Sequence, residues 1–191
     1  MKQKKIQPWK VLNSCGLNDY RIFKTRADIA RSPRTGKKHE VYVVSGVSWV
    51  NVLAITPGQE IVLVQQYRHG TRTVMWEIPG GMMDRGESPG KAAARELLEE
   101  TGYAGNKVRV LGNVHPNPAF QDNVCYTVLI ENARRLHAPK PDGTEDISVD
   151  VVPEAEFAEM VSDGRITHSL VVVADHWRRL WRSGAIRPPM L

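Results

Sequence analysis

Gly81-Met82-Met83-Asp84-Arg85-Gly86-Glu87-Ser88-Pro89-Gly90-Lys91-Ala92-Ala93-Ala94-Arg95-Glu96-Leu97-Leu98-Glu99-Glu100-Thr101-Gly102-Tyr103 is the stretch that decides the fold. Ser88 suits a helix N-cap, Pro89 its first turn, and Gly102 a left-handed stop. The Ala, Leu, Lys, Arg and Glu between them are good helix formers, so a helix is predicted over 88–101. Glu96, Glu99 and Glu100 stand at i, i+3 and i+4 and share one face, where like charges repel. A solvated acidic face is one account of them, and a bound divalent cation is the other. Carboxylate oxygens suit Mg²⁺ or Mn²⁺, and Mg²⁺ usually brings a substrate phosphate with it.

The spacing favours the cation. Gly81, five residues, Glu87, seven residues, Arg95-Glu96-Leu97, one residue, Glu99-Glu100, one residue, Gly102 and Tyr103 reproduce the Nudix box. The chain therefore resembles a Nudix hydrolase. Tyr103 stands where an aliphatic residue is usual and is expected to pack all the same. The resemblance implies an α/β fold, an α/β/α sandwich around a mixed sheet, and cleavage of a nucleoside diphosphate linked to another group. It also implies Glu96 and Glu100 as principal metal ligands, Glu99 in the same cluster, and the carbonyl of Gly80 as a main-chain ligand. Glu99 and Arg95 then count among the residues acting in catalysis, Arg95 as the orienting partner of Glu87.

Upstream lie Gln65-Gln66-Tyr67-Arg68-His69-Gly70 and Trp76-Glu77-Ile78-Pro79-Gly80-Gly81. These phrases resemble the ADP-ribose pyrophosphatase branch, which also acts on other nucleoside diphosphate sugars. By that resemblance Arg68 contacts the diphosphate, a task for which its planar fork of donors is suited. Glu77 and Met82 line the substrate site. Downstream, Pro118 follows Gly102 by sixteen residues within His115-Pro116-Asn117-Pro118-Ala119. A proline at about that spacing marks the branch and implies Asn117 and Pro118 at the substrate; Ala119 replaces the commoner Gly. His115 reads as a packed strand-end residue. The catalytic base of the branch sits on a loop before the last strand. In Thr144-Glu145-Asp146-Ile147-Ser148-Val149 it corresponds to Glu145, with Asp146 and then Asp142 as alternatives. A loop base can close over substrate and exclude bulk water.

Before the box, β-branched and aromatic residues predict strands at 9–15, 19–31 and 39–45, an N-terminal antiparallel layer separate from a hydrolase domain over 46–191. The branch typically forms a homodimer in which this layer, residues 1–45, reaches the partner and helps hold the nucleobase. Phe23 and Tyr42 are candidate stacking residues, with Trp9 and Trp49 behind them; core packing is the plainer role for each. Residues 1–40 hold eleven Lys/Arg against three acids, +8 of a net +5, which leaves −3 for the rest. Such an arm would draw in an anionic diphosphate. It carries no zinc-ligand set or RNA-binding aromatic motif, which argues against nucleic acid as partner.

Further strands are predicted at 48–56, 60–67, 74–78, 107–115, 124–132 and 146–152, with helices at 153–163 and 168–182. Val173, Trp177, Leu180 and Trp181 form the apolar stripe of the last helix. Composition is that of a soluble globular chain, 41% apolar and 25% charged. No apolar run reaches membrane-spanning length, and the Lys-rich start lacks a signal peptide's apolar stretch, so a cytoplasmic protein without membrane association is expected. Cys15 and Cys125 match no metal spacing and read as buried free thiols. The rivals are a hydrolase preferring a hexose substrate such as GDP-mannose or UDP-glucose, a non-catalytic nucleotide-sugar sensor, and an RNA-end or housekeeping pyrophosphohydrolase. Intact box glutamates count against the sensor. The extra N-terminal layer and the Arg68 phrase count against the last.

Overall fold

A computed structural model describes residues 5–140 and 146–191. The chain divides into two compact units: residues 1–47 with 115–123, and residues 48–114 with 124–191.

The first unit is a three-stranded antiparallel sheet in the order β1-β2-β3, formed by β1 (Lys10–Asp19), β2 (Phe23–Arg31) and β3 (Lys38–Gly46). The first strand is longer than the expected 9–15. Strand β1 runs on to Asp19, and the turn falls at 20–22, where Arg21 takes a left-handed φ of 70°. There the Tyr20 N–H bonds the Phe23 carbonyl at 2.9 Å. Every residue of β1 is exposed, Cys15 included, so its thiol is not buried as expected. A strand pattern shows which residues alternate, not whether anything covers either face.

Segment 115–123 is bound to this sheet. The N–H of Val44 donates to the Phe120 carbonyl at 2.8 Å. The Arg26 guanidinium pairs with Asp28 and Asp122 and bonds Ser45.

The second unit holds a seven-stranded mixed sheet. Its members are β4 (Trp49–Ile55), β5 (Glu60–Arg68), β6 (Thr73–Glu77), β7 (Gly80–Met82), β9 (Lys107–Val114), β10 (Cys125–Glu131) and β12 (Ile147–Pro153). Short strands β8 (Tyr103–Ala104) and β11 (Arg134–Arg135) pair separately. The main path is β12-β5-β4-β10-β9, with β4 and β10 parallel. The helices are α1 (Pro89–Thr101), α2 (Glu154–Ser162) and α3 (Ser169–Arg182).

Alternation along the strands sorts the core into two layers. Val50, Val52 and Ala54 of β4 pack with Val62, Val128 and the α1 residues Ala92, Ala93 and Leu97. Leu53 and Ile55 pack with Leu63, Leu129, Phe157 of α2 and Val171 and Ala174 of α3. Strands covered on both faces become continuous apolar runs. This is the expected α/β/α sandwich, and the N-terminal antiparallel sheet is present as well. Truncating the fully buried Phe157 to Ala would cost about 3–5 kcal/mol.

Helix α3 packs Trp177 and Trp181 of the expected stripe against the core but buries a neighbouring stripe more deeply. Leu170, Val171, Ala174, Asp175 and Arg178 are buried, while Trp177 and Trp181 only flank the core. The buried Arg178 bonds Asp175 at 2.7 Å and Glu154 of α2 at 2.9 Å, so an ion network fastens the two helices. Among the described residues, no helix is long and apolar enough to cross a membrane.

Candidate active site

Strands β4 and β5 pair only at Ile55 and Ile61, close to the turn that joins them. Beyond that point they part. Trp49–Asn51 of β4 pair with β7, and Val64–Arg68 of β5 pair with β6. The split ends, together with α1 and the start of α3, line a cleft of about 900 Å³. Arg68, Glu77, Gly80, Met82, Arg95, Glu96, Glu99 and Glu100 all line it, so eight of the residues singled out by sequence meet there.

Helix α1 delivers the acids. Ser88 takes an extended N-cap conformation, but its side chain makes no capping bond. Gly102 closes the helix at φ 74°, and its N–H bonds the Leu98 carbonyl. A Cβ there would meet the His137 carbonyl oxygen at 2.1 Å, so close approach as well as φ requires glycine. Glu100 is buried, and its Oε2 accepts the Gly80 N–H at 3.0 Å. Glu96 lies against the Gly80-Gly81 turn, where a Cβ on Gly81 would come 2.5 Å from its carboxylate. The turn is thus shaped around the acidic groups.

Arg95 ties the loop to the helix. Its guanidinium bonds Glu87 at 2.9 and 3.2 Å, Glu96 at 2.8 Å, Glu99 at 3.2 Å and the Met82 carbonyl at 3.0 Å. The pair with Glu87 holds that carboxyl below its ordinary value and raises the Arg95 guanidinium. Arg95 also offsets part of the repulsion that three glutamates on one face generate.

Glu77 is almost wholly buried and receives Arg68 as a two-pronged fork, Nε and Nη2 each 2.7 Å from a carboxylate oxygen. This geometry carries direction as well as charge. Thr167, His168, Ser169 and Leu170 at the start of α3 form a wall of the cleft that no sequence motif marks. Its signal was a lone histidine at a helix start, which by itself marks only a boundary.

Trp49, named behind the stacking candidates, also lines the cleft. Phe23, Tyr42, Asn117 and Pro118 belong to the first unit. Phe23 stacks obliquely on Tyr20 at 4.9 Å, and the exposed Tyr42 hydroxyl donates to Glu40 at 3.0 Å. The Asn117 carbonyl accepts the Gln121 N–H at 2.8 Å, making a tight turn around an exposed Pro118. His115, expected to be packed, is exposed, with its ring 3.4 Å from the Asn123 carbonyl. Glu145 and Asp142 lie outside the described residues, and Asp146 is exposed just before β12.

Among the described residues, no three His, Cys, Asp or Glu side chains form a metal-holding group by themselves. A closed protein cage is not what Mg²⁺ needs, since it binds through one or two carboxylates plus substrate phosphate and water. Glu96 and Glu100, with Glu99 beside them and a glycine turn packed against their carboxylates, have the chemistry and the room for such a site.

Known proteins resemble this chain in sequence and fold. The chain matches the NUDIX domain over residues 47–170. It is 32% identical over 166 residues to the ADP-ribose pyrophosphatase of Mycobacterium tuberculosis, covering 86% of this chain and 80% of that protein. It is 29% identical over 161 residues to the methanol dehydrogenase activator of Bacillus methanolicus, covering 84% and 86%. The solved structure of an ADP compounds hydrolase has the same fold, with a TM-score of 0.83 at 21% identity over 96% of this chain and 98% of that one. Members of the family generally use divalent metal ions. The box, the helix that carries it and the match across the second unit lead to one conclusion: this chain belongs to the Nudix hydrolase family.

Proposed function

We propose that the cleft hydrolyses the pyrophosphate bond of nucleoside diphosphate sugars in the presence of Mg²⁺, with ADP-ribose giving AMP and ribose 5-phosphate as the preferred reaction. One observation carries this reading. The α1 glutamates, the Gly80-Gly81 turn and the Arg68–Glu77 fork line a single cleft. The name of the Mycobacterium tuberculosis relative supports the choice of substrate.

Water must reach a phosphorus atom already surrounded by negative oxygens. The metal, when bound, neutralises charge and orients that water. Glu96 and Glu100 hold it, with Glu99 and the Gly80 carbonyl as further ligands. Arg68, aimed by Glu77, binds the diphosphate, and Met82 lies against the substrate. Arg95 and Glu87 keep the loop in register with the helix. Glu145 takes the proton from water, and Asp146 is the alternative base.

Residues 1–45 serve as a dimerisation arm ahead of the hydrolase domain. In the homodimer Phe23 and Tyr42, with Asn117 and Pro118, contribute to the substrate site. The protein works in the cytoplasm, without membrane or nucleic-acid partners.

A panel with Mg²⁺ tests the reading: ADP-ribose, GDP-mannose, UDP-glucose, diadenosine polyphosphates, NADH and 8-oxo-dGTP, with products identified. ADP-ribose should give the highest kcat/KM. Faster cleavage of a hexose compound would replace the sugar assignment, and failure to cleave any diphosphate sugar would overturn the function.

A further inference from the structure

His168 is the N-cap of α3, and its Nδ1 accepts the Leu170 N–H at 3.3 Å. That bond leaves the ring proton on Nε2. Nε2 stands 3.9 Å from Oε2 of Glu77. The side chain of His168 is only 26% exposed and that of Glu77 4%. Each carboxylate oxygen has two acceptor sites, so Arg68 Nη2 and a second donor can share Oε2. A separation of 3.9 Å is closed by a small ring rotation or by one bridging water.

We propose that His168 is a positioning residue: it links the start of α3 to the Arg68–Glu77 fork and fixes the angle at which Arg68 meets the diphosphate. The proposal rests on the role given to Arg68 in the hydrolysis above. A buried carboxylate held from two sides has fewer rotamers open to it, and the arginine forked onto it inherits that order. Removing the second donor loosens Arg68 in free enzyme and complex alike, so the cost falls on substrate binding more than on turnover.

The two ring nitrogens have separate tasks, and two substitutions separate them. In His168→Asn the amide oxygen replaces Nδ1 as the cap acceptor, Asn being among the best N-caps, but the side chain no longer reaches Glu77. In His168→Gln the amide nitrogen takes the place of Nε2 while the short-range cap is lost. With full-length protein, Mg²⁺ and ADP-ribose, His168→Asn should keep the wild-type Tm and kcat and raise KM about five- to tenfold, the scale of one hydrogen bond. His168→Gln should lower Tm and leave KM near wild type. Wild-type KM in the Asn variant, or equal KM losses in both, overturns the proposal.

A second measurement needs no substrate. The Arg68 Nε–H resonance in ¹⁵N spectra of the free protein should shift in His168→Asn and stay in place in His168→Gln. If the wild-type protein cleaves no diphosphate sugar, the function falls and this spectrum alone decides whether His168 orders the fork. An unshifted Arg68 signal in His168→Asn overturns the link.

Discussion

The two sheets bury their residues in opposite ways. Strand β4, inside the larger sheet, is buried at Val50 and from Val52 to Ile55. Strand β1, at the edge of the smaller one, is exposed at all ten positions. The difference lies in what covers them. Helices flank the larger sheet on both faces, whereas the first unit holds no helix among the described residues. Val11, Leu12, Leu17, Val41 and Tyr42 are left exposed there. Exposed apolar side chains on a sheet with no helix against it are what an uncovered face leaves in solvent. The larger unit is thus a core closed on both faces, and the smaller a sheet that leaves apolar side chains in solvent.

The largest expected effect falls on the finished core. Glu100→Gln should lower kcat by about 10³-fold, the scale of losing a preorganised electrostatic group, with the circular dichroism spectrum unchanged. Chelation should abolish activity, and Mg²⁺ or Mn²⁺ should restore it; full activity in metal-free buffer would break the mechanism. Glu145→Gln should cost about 10²–10⁴-fold in kcat with little change in KM. A normal Glu145→Gln beside an inactive Asp146→Asn would move the base by one residue.

Changes in the smaller unit should act on binding and assembly instead. In light scattering the intact protein should run as the proposed homodimer and a chain lacking residues 1–45 as a monomer, with KM for ADP-ribose raised several-fold. A fully active monomer of the intact protein at micromolar concentration would refute the shared site and leave the arm serving its own subunit. A smaller effect concerns acid stability. Arg95 holds the Glu87 carboxyl below its ordinary 4.5, so its stabilisation is complete above that pH and is lost as pH falls through the lower folded value. Glu87→Gln should lower Tm at neutral pH, and the difference from wild type should close in acid.

The smallest effect is chemical labelling. Burial pushes the Cys125 thiol up to about 12, while Cys15 is exposed on β1. Iodoacetamide should modify Cys15 and spare Cys125. Protection of Cys15 at high protein concentration would place β1 inside the dimer.

What was legible in the sequence was local. The box residues lie within one turn and one helix, and spacing alone located α1 to within a residue. The sandwich was implied by the family that the box resembles; periodicity of the apolar runs would not have given it alone. What escaped detection was long-range. The parting of β4 from β5 depends on which strand each finds beyond Ile55, and the Arg26–Asp122 pair spans 96 positions. The cover on a strand face belongs to another part of the chain or to another chain, so the exposure of Cys15 left no trace around it. His168 was hidden for a similar reason, because its partner Glu77 lies on a strand far upstream.

The parallel pairing of β4 with β10 also bears on when this protein becomes active during synthesis. Strand β4 leaves the ribosome early, yet its neighbour begins at Cys125, and β5 waits for β12 at Ile147. Everything that holds the acids, from the Gly80-Gly81 turn through α1, is translated within that interval. The wall at Thr167–Leu170 arrives later still. When α1 emerges, β4 to β7 have been made, but β9, β10 and β12, which complete the sheet, have not. Until residue 170 clears the exit tunnel the cleft lacks its last wall, and the half-made chain carries an open, unfinished site.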